Sequence, residues 1–247
     1  MNFIFRKFRN IYKRFENGFQ VTVFPEKFSL YPKPQYLYHN LSYSQEGEDM
    51  ILSRFFENKE NGFYVDVGAH HPQRFSNTYL FYLRGWRGIN IDAMPGSMES
   101  FNKIRVGDIN LEFPISDCHQ TLTYYEFNEP ALNGFCSDIS MKRNGLGNYR
   151  IISEIKLKTY TLSEILDKYL PNGQKIDFIT VDVEGLDLQV LKSNDWHNYR
   201  PHLVLVEDLN RLSISQMHKS EIASFMKKQD YQLYSKAIHT LFFLSNN

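Results

Sequence analysis

Along this chain, short runs of consecutive apolar residues alternate with segments whose apolar positions follow helical spacing. Phe63, Tyr64, Val65 and Val67 form one such run, rich in β-formers, as in a strand covered on both faces. It stops at Gly68-Ala69. Ser76 then stands where an N-cap should open a helix over 77–84 that ends at Gly85. Residues 88–92 (GINID) read as a second strand, followed by a helix near 97–104. Residues 110–116 read as a third, with Pro114 placed near its end because proline cannot donate to a ladder. Upstream, Ser44 and the acids that follow it open a helix running to Phe56.

Beyond a β-rich run at Thr121–Phe127, the hydrophobic period fades from 128 to about 154, and Asn133-Gly134, Asn144-Gly145 and Gly147 mark turns. This stretch is expected to be an insertion or a lid over a site. Thr161 and Glu164 then make a capping-box pair ahead of Ile165, Leu166 and Tyr169. A strong buried strand follows at 176–183, a helix to Lys192, a strand at 203–206 and a helix at 219–228. Two strands, 231–235 and 240–244, close the chain with no helix between them. Strand–helix alternation predicts a mostly parallel α/β sheet with helices on both faces, and the short final connection predicts an antiparallel pair.

At 247 residues the chain has room for one sizeable domain. We expect it over 41–247, after a basic, aromatic extension and proline-punctuated connector over 1–40. Hydrophobic content of 42% and charged content of 23% are those of a soluble protein, and a net charge of zero argues against a broad nucleic-acid footprint. Cys118 and Cys136 have neither metal-ligand nor disulfide-framework spacing, which fits a reduced, cytoplasmic setting. No apolar run has transmembrane length. Residues 1–15 interleave Arg6, Lys7, Arg9, Lys13 and Arg14 with apolar side chains. Such a basic amphipathic helix packs on a domain or touches an anionic membrane surface or partner.

Acids end four of the apolar strands: Asp66, Asp92, Asp182 and the pair Glu207-Asp208. Buried acids need partners, so acids gathered on one sheet edge point to a ligand or metal there. Asp92, at the end of the second strand, is placed to hold ribose hydroxyls. The first turn is not a phosphate fingerprint, because Gly68 is followed by Ala69-His70-His71-Pro72. That speaks against a nicotinamide-dependent dehydrogenase. A nucleoside without phosphates fits better, with S-adenosylmethionine the obvious candidate.

The segments SQEGEDMIL (44–52), GFYVDVGAHHP (62–72), SNT (76–78), GWRGINID (85–92), DINLEFPISD (108–117), TVDVEGLDLQVL (180–191) and RPHLVLVED (200–208), in this order, closely resemble the FkbM family of S-adenosylmethionine-dependent methyltransferases. The resemblance covers about two-thirds of the chain. It implies a class I methyltransferase, Rossmann-like, seven-stranded sheet whose last strand is antiparallel and inserted beside its predecessor. It also implies that Asp66, Gly68 and Ala69 pass beneath the methionine part of the cofactor. Asp92 takes the ribose hydroxyls, where a glutamate is common in related methyltransferases. Ser116 and Asp117 border the adenine, Ser76 or Asn77 holds the methionine carboxylate, and Gln45 adds a contact.

On the acceptor side, O-methylation needs a hydroxyl that is deprotonated or polarised. Asp182, Glu207 and Asp208 resemble the acidic metal site of magnesium-dependent catechol and macrolide-sugar O-methyltransferases, and His239 is a further candidate ligand. Nitrogen ligands would favour manganese or iron over magnesium. Without a metal, Asp182 and Glu184 serve as base and orienter; His70 and His71, on the first turn, are each a candidate base or metal ligand. The resemblance implies methylation of a sugar hydroxyl in bacterial capsule or surface polysaccharide synthesis, on a nucleotide-activated hexose or heptose. N-methylation of an amino sugar and a non-catalytic glycan-binding module are the alternatives.

Overall fold

In the structure, a computed structural model, residues 40–210 and 212–246 are described. The expected extension over 1–40 and its basic helix therefore lie outside the described residues, Asn40 apart. Seven strands make one sheet in the order β3-β2-β1-β6-β7-β9-β8. They are β1 (Phe63–Val67), β2 (Arg87–Asp92), β3 (Ile109–Glu112), β6 (Phe178–Val181), β7 (Leu203–Glu207), β8 (Tyr231–Lys236) and β9 (Thr240–Ser245). β9 is inserted antiparallel between β7 and β8, and β1, β2, β3, β6 and β7 pair in parallel. This is the sheet that the alternating pattern and the family resemblance imply. A separate antiparallel hairpin joins β4 (Thr121–Phe127) to β5 (Ile151–Lys158).

Strand residues alternate between two cores, which is why the strands read as continuous apolar runs. Phe63, Val65, Val67, Ile89, Ile91, Ile179, Val181, Val204 and Val206 face one side. There they meet helices α5 (Leu162–Tyr169), α6 (Asp187–Lys192) and α7 (Glu221–Lys228). Tyr64, Phe178, Leu203, Leu205 and Phe242 face the other side, with Leu52 and Phe56 of the α1 region (Glu48–Phe55), Phe81 of α2 (Tyr79–Leu83) and Trp86. The chain also forms α3 (Met98–Ile104) and α4 (Ser137–Arg143).

Several boundaries differ from expectation for identifiable reasons. The first helix starts at Glu48, because Asp49 folds back to accept from Ser42 Oγ, Tyr43 N and Ser44 Oγ and holds 44–47 in bends. α2 starts at Tyr79, although Ser76 Oγ does accept the Tyr79 N–H at 3.1 Å. β3 ends at Glu112, two residues before Pro114. The stretch expected to be irregular up to 154 contains α4 and the start of β5, whose strict inward–outward alternation is the signal that locates it. The capping box at Thr161–Glu164 forms as expected.

Candidate active site

Parallel strands on either side of a reversal in strand order leave a crevice at their carboxyl ends. Here the reversal falls between β1 and β6. A cavity of about 420 Å³ opens there, reached by Gly68 after β1, Asp92 at the end of β2, Asp182 after β6 and Glu207 at the end of β7. The segment 129–135, with Arg143 and Tyr149, forms the opposite wall, in the place expected of a lid. Gly68 has φ +87°, and a Cβ there would lie 1.7 Å from the Asp182 carbonyl oxygen. The β1 turn and the β6 turn therefore touch, and only glycine fits between them.

One half of the cavity suits a nucleoside. Asp92 is half-buried, with Oδ2 accepting the His70 N–H at 2.9 Å and Oδ1 the Met94 N–H at 2.8 Å. Burial raises its pKa, and these backbone donors pull it back. Each carboxylate oxygen retains a lone pair for a hydroxyl. Ile91, Phe113 and Ile115 supply apolar wall beside it, and Gln45 reaches the same cavity. Gly68 also lines it, and the remaining residues expected to hold the cofactor do not. Asp66 is buried inside β1, accepting from Thr78 Oγ1 at 2.8 Å. Ala69 packs against Met98 and Phe101. Ser76 Oγ accepts the Tyr79 N–H at the start of α2, and Asn77 Nδ2 donates to Thr180 Oγ1. Ser116 is buried with Gln120 Nε2 donating to it, and Asp117 is exposed.

The other half is acidic. Asp182, Glu184 and Glu207 each offer an oxygen, all within 4.8 Å of one another. That spread is close to the span across the coordination sphere of a small divalent cation, about twice 2.1 Å. Asp182 is open to the cavity and enclosed by protein elsewhere. This enclosure, then the charges of Glu184 and Asp187, raise its pKa well above the carboxylate range, and contact with cavity water tempers the first effect. Glu207 is also raised, to about 11, by burial and then by Asp182. Its Oε2 is buried with no hydrogen-bond partner among the described residues. Burial also raises Glu184, against the pull of Arg143, which pairs with it at 2.6 Å. Asp187 accepts the Val183 and Gly185 N–H groups and shapes the turn that presents these acids; burial pushes its pKa up to about 7.

The expected metal set is only partly brought together. Asp208 follows Glu207, and strand alternation sends its side chain the other way, to Ser220 Oγ and Asn210. His239 lines the cavity, but its Nδ1 and backbone N–H both bond Glu46. His70 reaches the cavity in a left-handed conformation (φ +53°) with Nε2 buried and unpartnered among the described residues. Burial lowers its pKa to about 4, so it is a neutral imidazole at pH 7. His71 points into its own loop, Nδ1 accepting the Gln73 and Arg74 N–H groups. Sequence reasoning missed Arg143, hidden in the stretch of faded period, and Glu46, although the latter lies within SQEGED.

The family model described as the methyltransferase FkbM domain matches residues 66–233. No curated protein matches the chain. One solved structure similar to it is a Pyrococcus horikoshii protein proposed to be an RNA methyltransferase, at 10% identity and a TM-score of 0.42, covering 81% of this chain and 83% of that one.

Proposed function

The chain belongs to the FkbM family of methyltransferases, and on that premise we propose an S-adenosylmethionine-dependent O-methyltransferase acting on a sugar hydroxyl. The acceptor would be a nucleotide-activated hexose or heptose used for surface polysaccharide. The observation that carries this reading is the pairing, within one cavity, of a nucleoside-compatible half around Asp92 with an acid cluster at Asp182, Glu184 and Glu207. A cavity of about 420 Å³ is in the range that holds a cofactor. When bound, S-adenosylmethionine supplies an electrophilic methyl group whose carbon–sulfur bond breaks as the new carbon–oxygen bond forms. Asp92 would hold the ribose hydroxyls, with apolar Ile91, Phe113 and Ile115 beside the purine. Glu207 keeps its proton near neutrality, so the ionised member of the coupled pair, Asp182, would be the group that takes the acceptor hydroxyl's proton. Arg143 would hold Glu184 in place, and neutral His70 would offer a hydrogen bond.

The mutual approach of three carboxylates favours a second reading, in which a divalent cation polarises the hydroxyl. The all-oxygen donor set suits magnesium or manganese better than iron. Calorimetric titration with S-adenosylmethionine tests the cofactor: absence of binding would sink the proposal. A labelled-methyl screen over nucleotide sugars, with and without divalent metals, tests the acceptor. Transfer undiminished by a chelator would reject the cation, and transfer only to an amino sugar's nitrogen would move the reading to N-methylation.

A further inference from the structure

Four of the eleven large apolar side chains that are exposed among the described residues fall between 141 and 152. Met141 is 49% exposed, Leu146 64%, Tyr149 41% and Ile152 61%. The same twelve residues, MKRNGLGNYRII, carry Lys142, Arg143 and Arg150 and no acid, in a chain whose net charge is zero. Beyond them on the outward side of β5, Lys156 and Lys158 outnumber Glu154. The segment runs from the end of α4 into β5, and its Arg143 and Tyr149 line the cavity. An apolar and basic patch thus borders the mouth of the site.

From this we infer that residues 141–152 dock the protein on an anionic lipid surface. Aliphatic side chains gain by entering the headgroup–acyl boundary, a tyrosine suits that boundary, and flanking cations are drawn to anionic lipid. A second copy of the chain fits less well. A two-fold interface would set this patch against itself and oppose like charges. Single-stranded nucleic acid calls for stacked aromatic side chains, whereas three of these four are aliphatic.

Co-sedimentation of the full chain with vesicles tests this, using phosphatidylcholine alone and phosphatidylcholine mixed with phosphatidylglycerol. We expect binding to the mixed vesicles. The triple variant Met141→Ser, Leu146→Ser, Ile152→Ser should bind about tenfold or more weakly. The pair Lys142→Gln, Arg150→Gln should lose up to about thirtyfold and with it the preference for anionic lipid. All five positions are at the surface, so unfolding midpoints matching wild type would establish that the variants fold. Wild type left unbound overturns the inference. So does equal binding by the variants, which would assign the lipid contact to another surface. A wild-type dimer that the triple variant dissolves would also overturn it, in favour of self-association.

Discussion

Two clusters of ionisable side chains sit on the same sheet and are built on opposite principles. In the first, Arg105 is fully buried and spends its guanidinium on Asp108, Pro72 O, Tyr64 Oη and Thr78 Oγ1. Thr78 in turn donates to Asp66, while Tyr64, Asn90 and the Gly88 N–H donate to Asp108. In the second, Asp182, Glu184 and Glu207 crowd together with the single cation Arg143, and one Glu207 oxygen has no partner among the described residues. The first cluster answers each charge from within the protein. The second leaves its charges to something that arrives from the cavity. Buried charge alone therefore does not mark a site; uncompensated charge beside a cavity does.

Substitutions can break this contrast. Arg105→Met should destabilise the fold by about 3–5 kcal/mol, read by denaturant unfolding, because it strands Asp108 and Asp66 without their cation. A loss under 1 kcal/mol would show the network to be dispensable. Asp182→Asn should do the reverse, leaving stability equal or higher while methyl transfer falls about 100-fold or more in steady-state assays. Tyr64→Phe, which deletes the hydroxyl between Asp108 and Arg105, should cost about 2 kcal/mol in the same unfolding measurement.

The smallest effect concerns pH. Glu207 in the fold keeps its proton to far higher pH than in the unfolded chain, so from about pH 4.5 upward the folded state binds more protons and stability falls as pH rises. A full proton difference over pH 5 to 8 would amount to about 4 kcal/mol; coupling to Asp182 and screening by cavity water cut this, and in chelated buffer Glu207→Gln should flatten the decline by about 1 kcal/mol. An unchanged slope would mean that the cavity water already compensates this carboxyl.

The strands were legible because two covered faces demand unbroken apolar runs, and Thr161–Glu164 because a capping box is local. Asp92, Asp182 and Glu207 were legible as acids ending such runs. Asp66 and Asp208 looked equivalent to them in sequence, yet strand alternation decides which side a carboxyl faces, and one residue of shift turns it from cavity to core. Arg105 was illegible for another reason: an arginine closing a short helix ordinarily lies in water, and its partners Pro72, Tyr64 and Thr78 lie 27 to 41 positions away. β5 carried its alternation openly, but the glycine-rich turns ahead of it hid where the strand began.

β9 fills the gap between β7 and β8, and the residue just before it, His239, clasps Glu46 from 193 positions away. Thr240 at its start likewise donates to Glu48. On the ribosome the cavity's first wall must therefore wait about 10–40 s at ordinary elongation rates for its last one. Until then β8 lacks its sheet neighbour. A chain that stops before β9 leaves the facing edges of β7 and β8 unpaired, so the closing of the sheet and the last wall of the site depend on the same short stretch.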